Sequence, residues 1–490
     1  MKAIFILMDT LNRRFLPAYG NTWVKTPAID RFAQLSIRFD NHWIGSAPCM
    51  PARRDMLTGR LNFLEKPWGS VEPYDVLFPH VLREAGIYSH LETDHYHYFH
   101  PGGENYHTCF NGWNLYRGQE GDLHVSMVNG LPEPEHLGVW HEQYAKNRTE
   151  FKTDADFSSP KTFQGAIDWL KLNEGTDNYL LWVEAFDPHE PYDTPDEFLE
   201  LYNDDWDGPL FNWNRYEQIN LLEEAVEHLR RRYAATLSMN DKWFGKLLEE
   251  IERQGGFKDT LIILTSDHGH MLGEHGITGK GFSHAWNEMA HIPLFVHLPG
   301  SAHAGESRTQ LTQNIDLMPT LMEYFAVEYS NPIHGHSWMD ILYDNAPAKR
   351  DAALFGWFGM PVNVTDGCYT YFRAAVHEDN QPLYRYFLTP TRFARYNLPG
   401  KEFYTEAEFG HYLPWTDFPV IRAREDMRRT QLVSETKLYN IKEDYAQEQN
   451  LAGTEIERKY EAMLIEAMKE HDAPEEQYER LGLSVEENVS

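Results

Sequence analysis

Three short apolar runs, each cut off by reactive polar residues, constrain the fold of this chain more than any other feature. Ala3–Met8 (AIFILM) ends on Asp9, and Tyr179–Phe186 (YLLWVEAF) ends on Asp187-Pro188-His189. Thr260–Thr265 (TLIILT) leads through Ser266 to Asp267-His268. Runs this short make strands rather than helices, and continuous hydrophobicity marks strands covered on both faces of a parallel sheet. A fourth run, Ile292–Leu298, begins beside Pro293. Between the runs, Lys161–Leu172 places Phe163, Ala166, Ile167 and Leu170 at helical spacing. Leu221–Ile251 does the same over a longer span with Leu229, Tyr233, Leu237, Phe244, Leu247 and Leu248. The alternation predicts an α/β fold with a doubly wound, mostly parallel sheet flanked by helices. Sites in such sheets lie at the carboxyl ends of the strands, where this chain puts its acids and histidines.

A chain of 490 residues exceeds one ordinary core. The polar stretch Tyr343–Asp351 (YDNAPAKRD) suggests a boundary, with a catalytic domain over 1–350 and a smaller α+β domain over 351–490. The second part carries aromatic runs such as Tyr369–Arg373 and an acid-rich, helical, partly frayed tail. No segment approaches the ~20 apolar residues of a membrane span. Ala3–Met8 is shorter than the roughly 7–15 residues of a signal-peptide core. Three cysteines, Cys49, Cys109 and Cys368, form no disulfide framework. The expectation is a cytoplasmic protein without a membrane partner. With 75 acidic against 44 basic residues the net charge is -31, which argues against nucleic acid as a partner. An anionic substrate would therefore need a local cluster of cations and a metal to hold it.

The sharpest motif is Cys49-Met50-Pro51-Ala52-Arg53, followed by Thr58-Gly59. It lies downstream of an N-terminal strand that ends in Asp, and in this setting it resembles the signature of the formylglycine-dependent sulfatases, in the alkaline phosphatase-like superfamily. The resemblance implies that a maturation enzyme oxidises Cys49 to formylglycine. The hydrated aldehyde attacks the ester sulfur with one hydroxyl, and deprotonation of the other expels sulfate. Arg53 matches the arginine that steadies this residue. Asp9, Asp267 and His268 match metal ligands that, with position 49, would hold one divalent cation. Calcium is the family's usual ion and manganese the alternative. His97 matches a histidine near the nucleophile, and His95 stands where the family has a substrate-binding lysine. His189 matches the acid that protonates the leaving oxygen. Lys280, followed by Glu288 and Pro293, matches the lysine that binds sulfate oxygens.

Further landmarks carry the resemblance to about residue 455, including Asn314–Thr320, Val364–Gly367 and Lys437–Asn440. His270, Glu274 and His275 read as part of a structural turn rather than a second metal site. Two departures matter: Thr10 replaces a second aspartate, and His268 stands where many members have asparagine. The same pattern occurs in relatives that cleave phosphonate monoesters and phosphodiesters, often with manganese. The expected activity is hydrolysis of a small anionic sulfate monoester, a sulfated sugar being the expected substrate. The alternatives are a phosphonate or phosphodiester hydrolase, and a binding protein with unconverted Cys49. Trp206, Trp213, Tyr216 and the stretch Tyr96–Trp113 are expected to wall the pocket.

Overall fold

The computed structural model describes residues 1–390, 405–427 and 433–484. Its centre is an eight-stranded sheet in the order Ser307–Arg308, Ile37–Phe39, Leu294–His297, Thr260–Thr265, Lys2–Met8, Tyr179–Ala185, Tyr88–Thr93 and Gly112–Leu115. Lys2–Met8 pairs in parallel with both Tyr179–Ala185 and Thr260–Thr265, so their polar C-terminal extensions emerge side by side. Leu294–His297 is the one strand antiparallel to both of its neighbours, and Pro293 directly precedes it.

Both faces of the sheet are covered, which explains the unbroken hydrophobicity of the central strands. Ile4, Ile6 and Met8 join Leu181, Val183, Ile262 and Leu264 beneath the helices Ser158–Leu172 and Glu223–Arg253. The alternate residues Ala3, Phe5 and Leu7 join Leu180, Trp182 and Ile263 against Met50, Met56 and Leu57 of the helix Cys49–Thr58. Two strands, Tyr88–Thr93 and Gly112–Leu115, escape the hydrophobicity pattern because they carry Ser89, His90, Glu92 and Asn114. His90 and Glu92 satisfy each other at 2.9 Å, and Asn114 donates to Glu92.

A second sheet runs Lys437–Asn440, Tyr369–Arg373, Val362–Thr365, Ala353–Trp357 and Ser46–Ala47. Its last strand comes from the far N-terminal side: Ser46 and Ala47 pair in parallel with Gly356 and Trp357. Leu61, Phe63 and Leu64 share a core with Leu354, Val364, Tyr460, Leu464 and Leu481. The tail is thus not frayed as far as residue 484. Helices Glu457–Glu470 and Glu475–Leu481 bury Tyr460, Leu464, Ala467, Met468 and Leu481 against this sheet. The expected tail beyond 484 lies outside the described residues. Among the described residues no helix is long and apolar enough to cross a membrane.

The two-faced burial has a measurable consequence. Phe5 is fully buried, with its ring 4.2 Å from that of Trp182, whereas Val128 is fully exposed. Phe5→Ala should cost about 3–5 kcal/mol of stability and Val128→Ala should stay within about 0.5, read from urea unfolding.

Candidate active site

Every residue of the helix Cys49–Thr58 is buried. Cys49 opens the helix, so the positive end of the backbone dipole lies against its side chain. Gly59 ends it at φ +69°, a left-handed conformation that explains the glycine of the Thr58-Gly59 pair.

Arg53, one turn on from Cys49, is completely buried. Its Nη2 donates to Asp9 Oδ2 at 2.7 Å, its Nη1 to Asp267 Oδ2 at 2.6 Å and to the Cys49 carbonyl at 2.9 Å, and its Nε to Glu184 Oε1 at 2.5 Å. One guanidinium thereby ties the ends of three parallel strands to the helix that carries Cys49. Tyr98 Oη fixes the other oxygen of Glu184 at 2.8 Å. Glu184 gives no motif signal, because it sits inside an apolar strand and reads as a lone acid.

Cys49 Sγ lies 3.3 Å from His268 Nε2 and 3.6 Å from Lys280 Nζ. His268 Nδ1 donates to the Gly269 carbonyl at 2.8 Å, which leaves Nε2 as a lone-pair donor facing Cys49. Gly269 is required here: a Cβ would stand 1.8 Å from the Glu288 carbonyl. Thr10 occupies a left-handed conformation at φ +63°, costly for a β-branched residue. Tyr233 Oη donates to its carbonyl at 2.8 Å, its N–H donates to Asp267 Oδ1 at 3.0 Å, and its hydroxyl donates to Asp9 Oδ1 at 2.6 Å. Lys280 Nζ reaches the same hydroxyl at 3.2 Å.

The donor atoms of Asp9, Cys49, Asp267 and His268 all lie within 4.8 Å of one another. Two carboxylates, an imidazole with a free lone pair and the atom at position 49 make a donor set suited to one divalent cation. Burial pushes the Asp9 carboxyl up, but Arg53, His189, Lys280 and His268 outweigh it and hold the carboxyl well below its usual range. Burial first, and Asp9 next, push the Cys49 thiol far up, so the unmodified side chain is a weak nucleophile. Burial works against the charge of Lys280, yet the surrounding anions raise it above the ordinary lysine range.

Above Cys49 opens a cavity of about 620 Å³ lined by His97, His189 and Lys280 together with Glu120, Glu190 and Asn214. His189 Nδ1 donates to the Glu190 carbonyl at 2.7 Å, leaving Nε2 for a substrate. His95, expected to bind substrate, does not line this cavity. It is fully buried, with Nε2 at 3.3 Å from Met50 Sδ and Nδ1 3.9 Å from Asp9, and burial keeps its pKa well down. The aromatic wall also differs from expectation. Trp213 and Tyr216 line the cavity, but Trp206 stacks on His228, and Trp113, 42% exposed, packs on Phe99 and His107. Trp68, Trp357 and Phe358 complete the wall, and their separation in sequence hid them. His275 stacks on Trp286, and among the described residues no metal-binding group gathers His270, Glu274 and His275.

A buried acid pair holds the loops behind the cavity in place. Ser159 Oγ donates to Asp94 Oδ2 at 2.6 Å and accepts from the Asp187 N–H at 2.9 Å. Gln119 Nε2 reaches both carboxylates, at 3.0 and 3.2 Å, and the Phe186 N–H donates to Asp94 at 2.8 Å. This network joins the segments leading to His97, Glu120 and His189. Burial raises Asp94 to about 6, and burial together with the neighbouring Asp94 raises Asp187 well above the usual carboxylate range.

The sulfatase family model matches residues 2–327, and the C-terminal model of N-sulphoglucosamine sulphohydrolase matches residues 273–400. An N-acetylglucosamine-6-O-sulfatase of Bacteroides thetaiotaomicron is 26% identical over 429 residues, covering 73% of this chain and 74% of that protein. In fold the chain resembles the phosphonate monoester hydrolase of Agrobacterium radiobacter, with a TM-score of 0.68 at 17% identity over 96% of each chain. A structure solved with its substrate D-glucosamine-2-N,6-O-disulfate aligns with a TM-score of 0.67 at 17% identity, over 96% of this chain and 98% of the other.

The acid pair yields a pH prediction. A carboxyl whose pKa is raised on folding binds its proton more tightly in the native state, so its contribution falls as pH rises from the unfolded value near ~4 through the folded one. Stability should therefore decline between pH 4 and 6 through Asp94, which the structure holds at about 6. Asp94→Asn should flatten that decline in urea midpoints measured at pH 4.5 and 7.5.

Proposed function

The chain belongs to the sulfatase family and is a sulfuric ester hydrolase, and we propose that it cleaves a sulfate monoester of a small saccharide through formylglycine formed from Cys49. The observation that carries this reading is the placement of Cys49 Sγ at the base of the cavity, between His268 Nε2 and Lys280 Nζ and directly above the Arg53 tie.

Converted, position 49 supplies a geminal diol, one hydroxyl for attack on sulfur and a second whose deprotonation releases sulfate. Asp9, Asp267, His268 and position 49 would hold a divalent cation, calcium or, as the imidazole favours, manganese, which supplies Lewis-acid polarisation of the ester. The chain's own residues do the rest. Arg53 fixes Asp9 and Asp267 against the Cys49 helix, so the ligand set is rigid before substrate arrives. Lys280 receives the sulfate oxygens and answers the repulsion expected from a net charge of -31, with His97 beside it as a neutral hydrogen-bonding group. His189, pinned through Nδ1, presents Nε2 to the departing oxygen and delivers its proton.

A saccharide fits the cavity's volume and its walls of Trp68, Trp213 and Trp357, because sugar rings stack on indole faces. The N-acetylglucosamine-6-O-sulfatase relative supports the same class. A second reading, phosphonate monoester or phosphodiester hydrolysis, is favoured by Thr10 in place of a second acidic ligand, by His268, and by the fold likeness to the phosphonate monoester hydrolase. Parallel assays on aryl sulfate, aryl phosphonate and phosphodiester esters decide between them. Turnover of the phosphorus esters alone overturns the sulfatase reading.

Two variants test the roles. Cys49→Ala should reduce kcat on an aryl sulfate by on the order of 10³-fold or more. In active wild-type protein, the peptide containing residue 49 should have the mass of the aldehyde, not the thiol. If only the thiol form is active, the proposed nucleophile is wrong. His189→Ala should lower turnover of a sugar sulfate by about 10²–10⁴-fold, because an alkoxide leaving group needs the proton. It should cost far less on nitrophenyl sulfate, whose leaving group needs none.

A further inference from the structure

Cationic and anionic groups share one cavity. Lys280 stands beside Cys49. Two buried carboxylates, Glu120 and Glu190, line the same cavity around His189, the residue that the sulfatase reading assigns to the departing oxygen of the alcohol. Carboxylates beside an anionic substrate are electrostatically unfavourable unless the substrate brings a compensating charge.

Glu120 is held there against its backbone preference, at φ +40°. The loop that imposes this is tightly fixed: Arg117 forks onto Asp122 at 2.7 and 2.6 Å, the Gly118 N–H donates to Asp122 at 2.9 Å, and Asn147 donates to the Gly118 and Asp122 carbonyls. Tyr96 Oη donates to Glu120 Oε2 at 2.7 Å, and His97 Nε2 and His189 Nδ1 stand 3.4 and 3.6 Å from the carboxylate. Burial keeps the His97 pKa below its usual value, so His97 adds no full charge near neutrality. Burial raises the Glu190 carboxyl, but His189, Lys280 and His270 outweigh it and bring it down to about 2.

A separate observation points to a ligand that donates hydrogen bonds. Asn214, 1% exposed and lining the same cavity, has an Oδ1 that accepts no hydrogen bond; Glu190 accepts one from Tyr216 through Oε1, and its Oε2 has His189 Nδ1 at 3.3 Å. A buried acceptor left without a donor, as Asn214 Oδ1 is, is costly unless a ligand supplies one. Around them the walls include Trp68, Trp213 and Tyr216, aromatic rings of the kind that attract cations.

Resting on the sulfatase reading, we infer that the Glu120–Glu190 part of the cavity binds a positively charged nitrogen on the substrate's alcohol, so that the preferred ester is zwitterionic, an amino sugar sulfate with its amine unblocked. The carboxylates pair with the ammonium, Asn214 Oδ1 accepts one of its protons, and Lys280 takes the sulfate. A second metal ion would use the same carboxylates and His189, whose donor atoms also lie within 4.8 Å of one another. The ammonium accounts better for the site, because His189 Nδ1 is already engaged with the Glu190 carbonyl and the surrounding walls are aromatic rather than oxygen-rich.

The test compares glucosamine with glucose, each as the 3-sulfate and the 6-sulfate. Affinity is measured by calorimetry on the unconverted, metal-loaded chain, and kcat/KM on converted protein. For at least one sulfate position the amino sugar should bind, and be turned over, at least about tenfold better than its neutral partner, the effect of one buried charge-assisted hydrogen bond. Glu120→Gln should bring that ratio close to one. Equal or better use of the neutral sugars overturns the inference. So does a Glu120→Gln variant that loses both sugars equally and keeps the ratio, which would make Glu120 a support for His189 alone. A second bound equivalent of divalent ion that disappears in Glu120→Gln also overturns it, in favour of a metal site. Since binding is read on unconverted protein, a converted enzyme that hydrolyses no sulfate ester counts against the sulfatase reading and leaves the amine preference to be judged by the affinity ratio.

Discussion

A single buried guanidinium organises the catalytic half of this protein. Arg53 bonds to Asp9, Asp267 and Glu184, carboxylates borne at or just beyond the ends of three adjacent parallel strands, and to the carbonyl of Cys49. Burying one arginine with three acids carries a desolvation penalty, which is recovered only when every donor has a well-placed acceptor. Here each of the three guanidinium nitrogens has an acceptor, four bonds in all, and their directionality specifies where the Cys49 helix must sit on the sheet. Lysine has one point of charge and could not fix three strands at once. The arrangement also leaves carboxylate in excess of cationic charge, an imbalance that a divalent ion at Asp9, Asp267 and His268 would correct.

The parts of the fold that were legible in sequence are those where composition and burial agree. Lys2–Met8, Tyr179–Ala185 and Thr260–Thr265 are apolar because both faces are covered, and their acids follow because the sheet's edge is where polar groups can be placed. Tyr88–Thr93 was not legible, since polar side chains such as His90 and Glu92 are buried there against one another and Asn114. The same principle hid Glu184, whose partner lies 131 residues away.

In the candidate site, Cys49, Lys280, His97 and His189 come together as the motif order implied, while His95 turns inward against Met50. Alternation within a short segment decides which of two nearby histidines faces the cavity, and spacing alone does not reveal it. The residues that shape the outer cavity were invisible for a different reason. Trp68, Glu120 and the pair Trp357-Phe358 at the end of a strand belong to distant segments with no shared motif, and only tertiary pairing brings them to one wall.

That pairing has a temporal side. The strand Ser46–Ala47, immediately before the Cys49 helix, finds its partner in Gly356 and Trp357, and the segment after the helix packs on residues later still. A ribosome working at about 5–20 residues per second needs roughly 15 to 60 s to add the intervening ~300 residues. For that interval each new copy of the protein carries residue 49 on a stretch whose later partners, Gly356 and Trp357 among them, do not yet exist. The distance between two strands in the chain thus sets a clock on how long this position remains outside its finished surroundings.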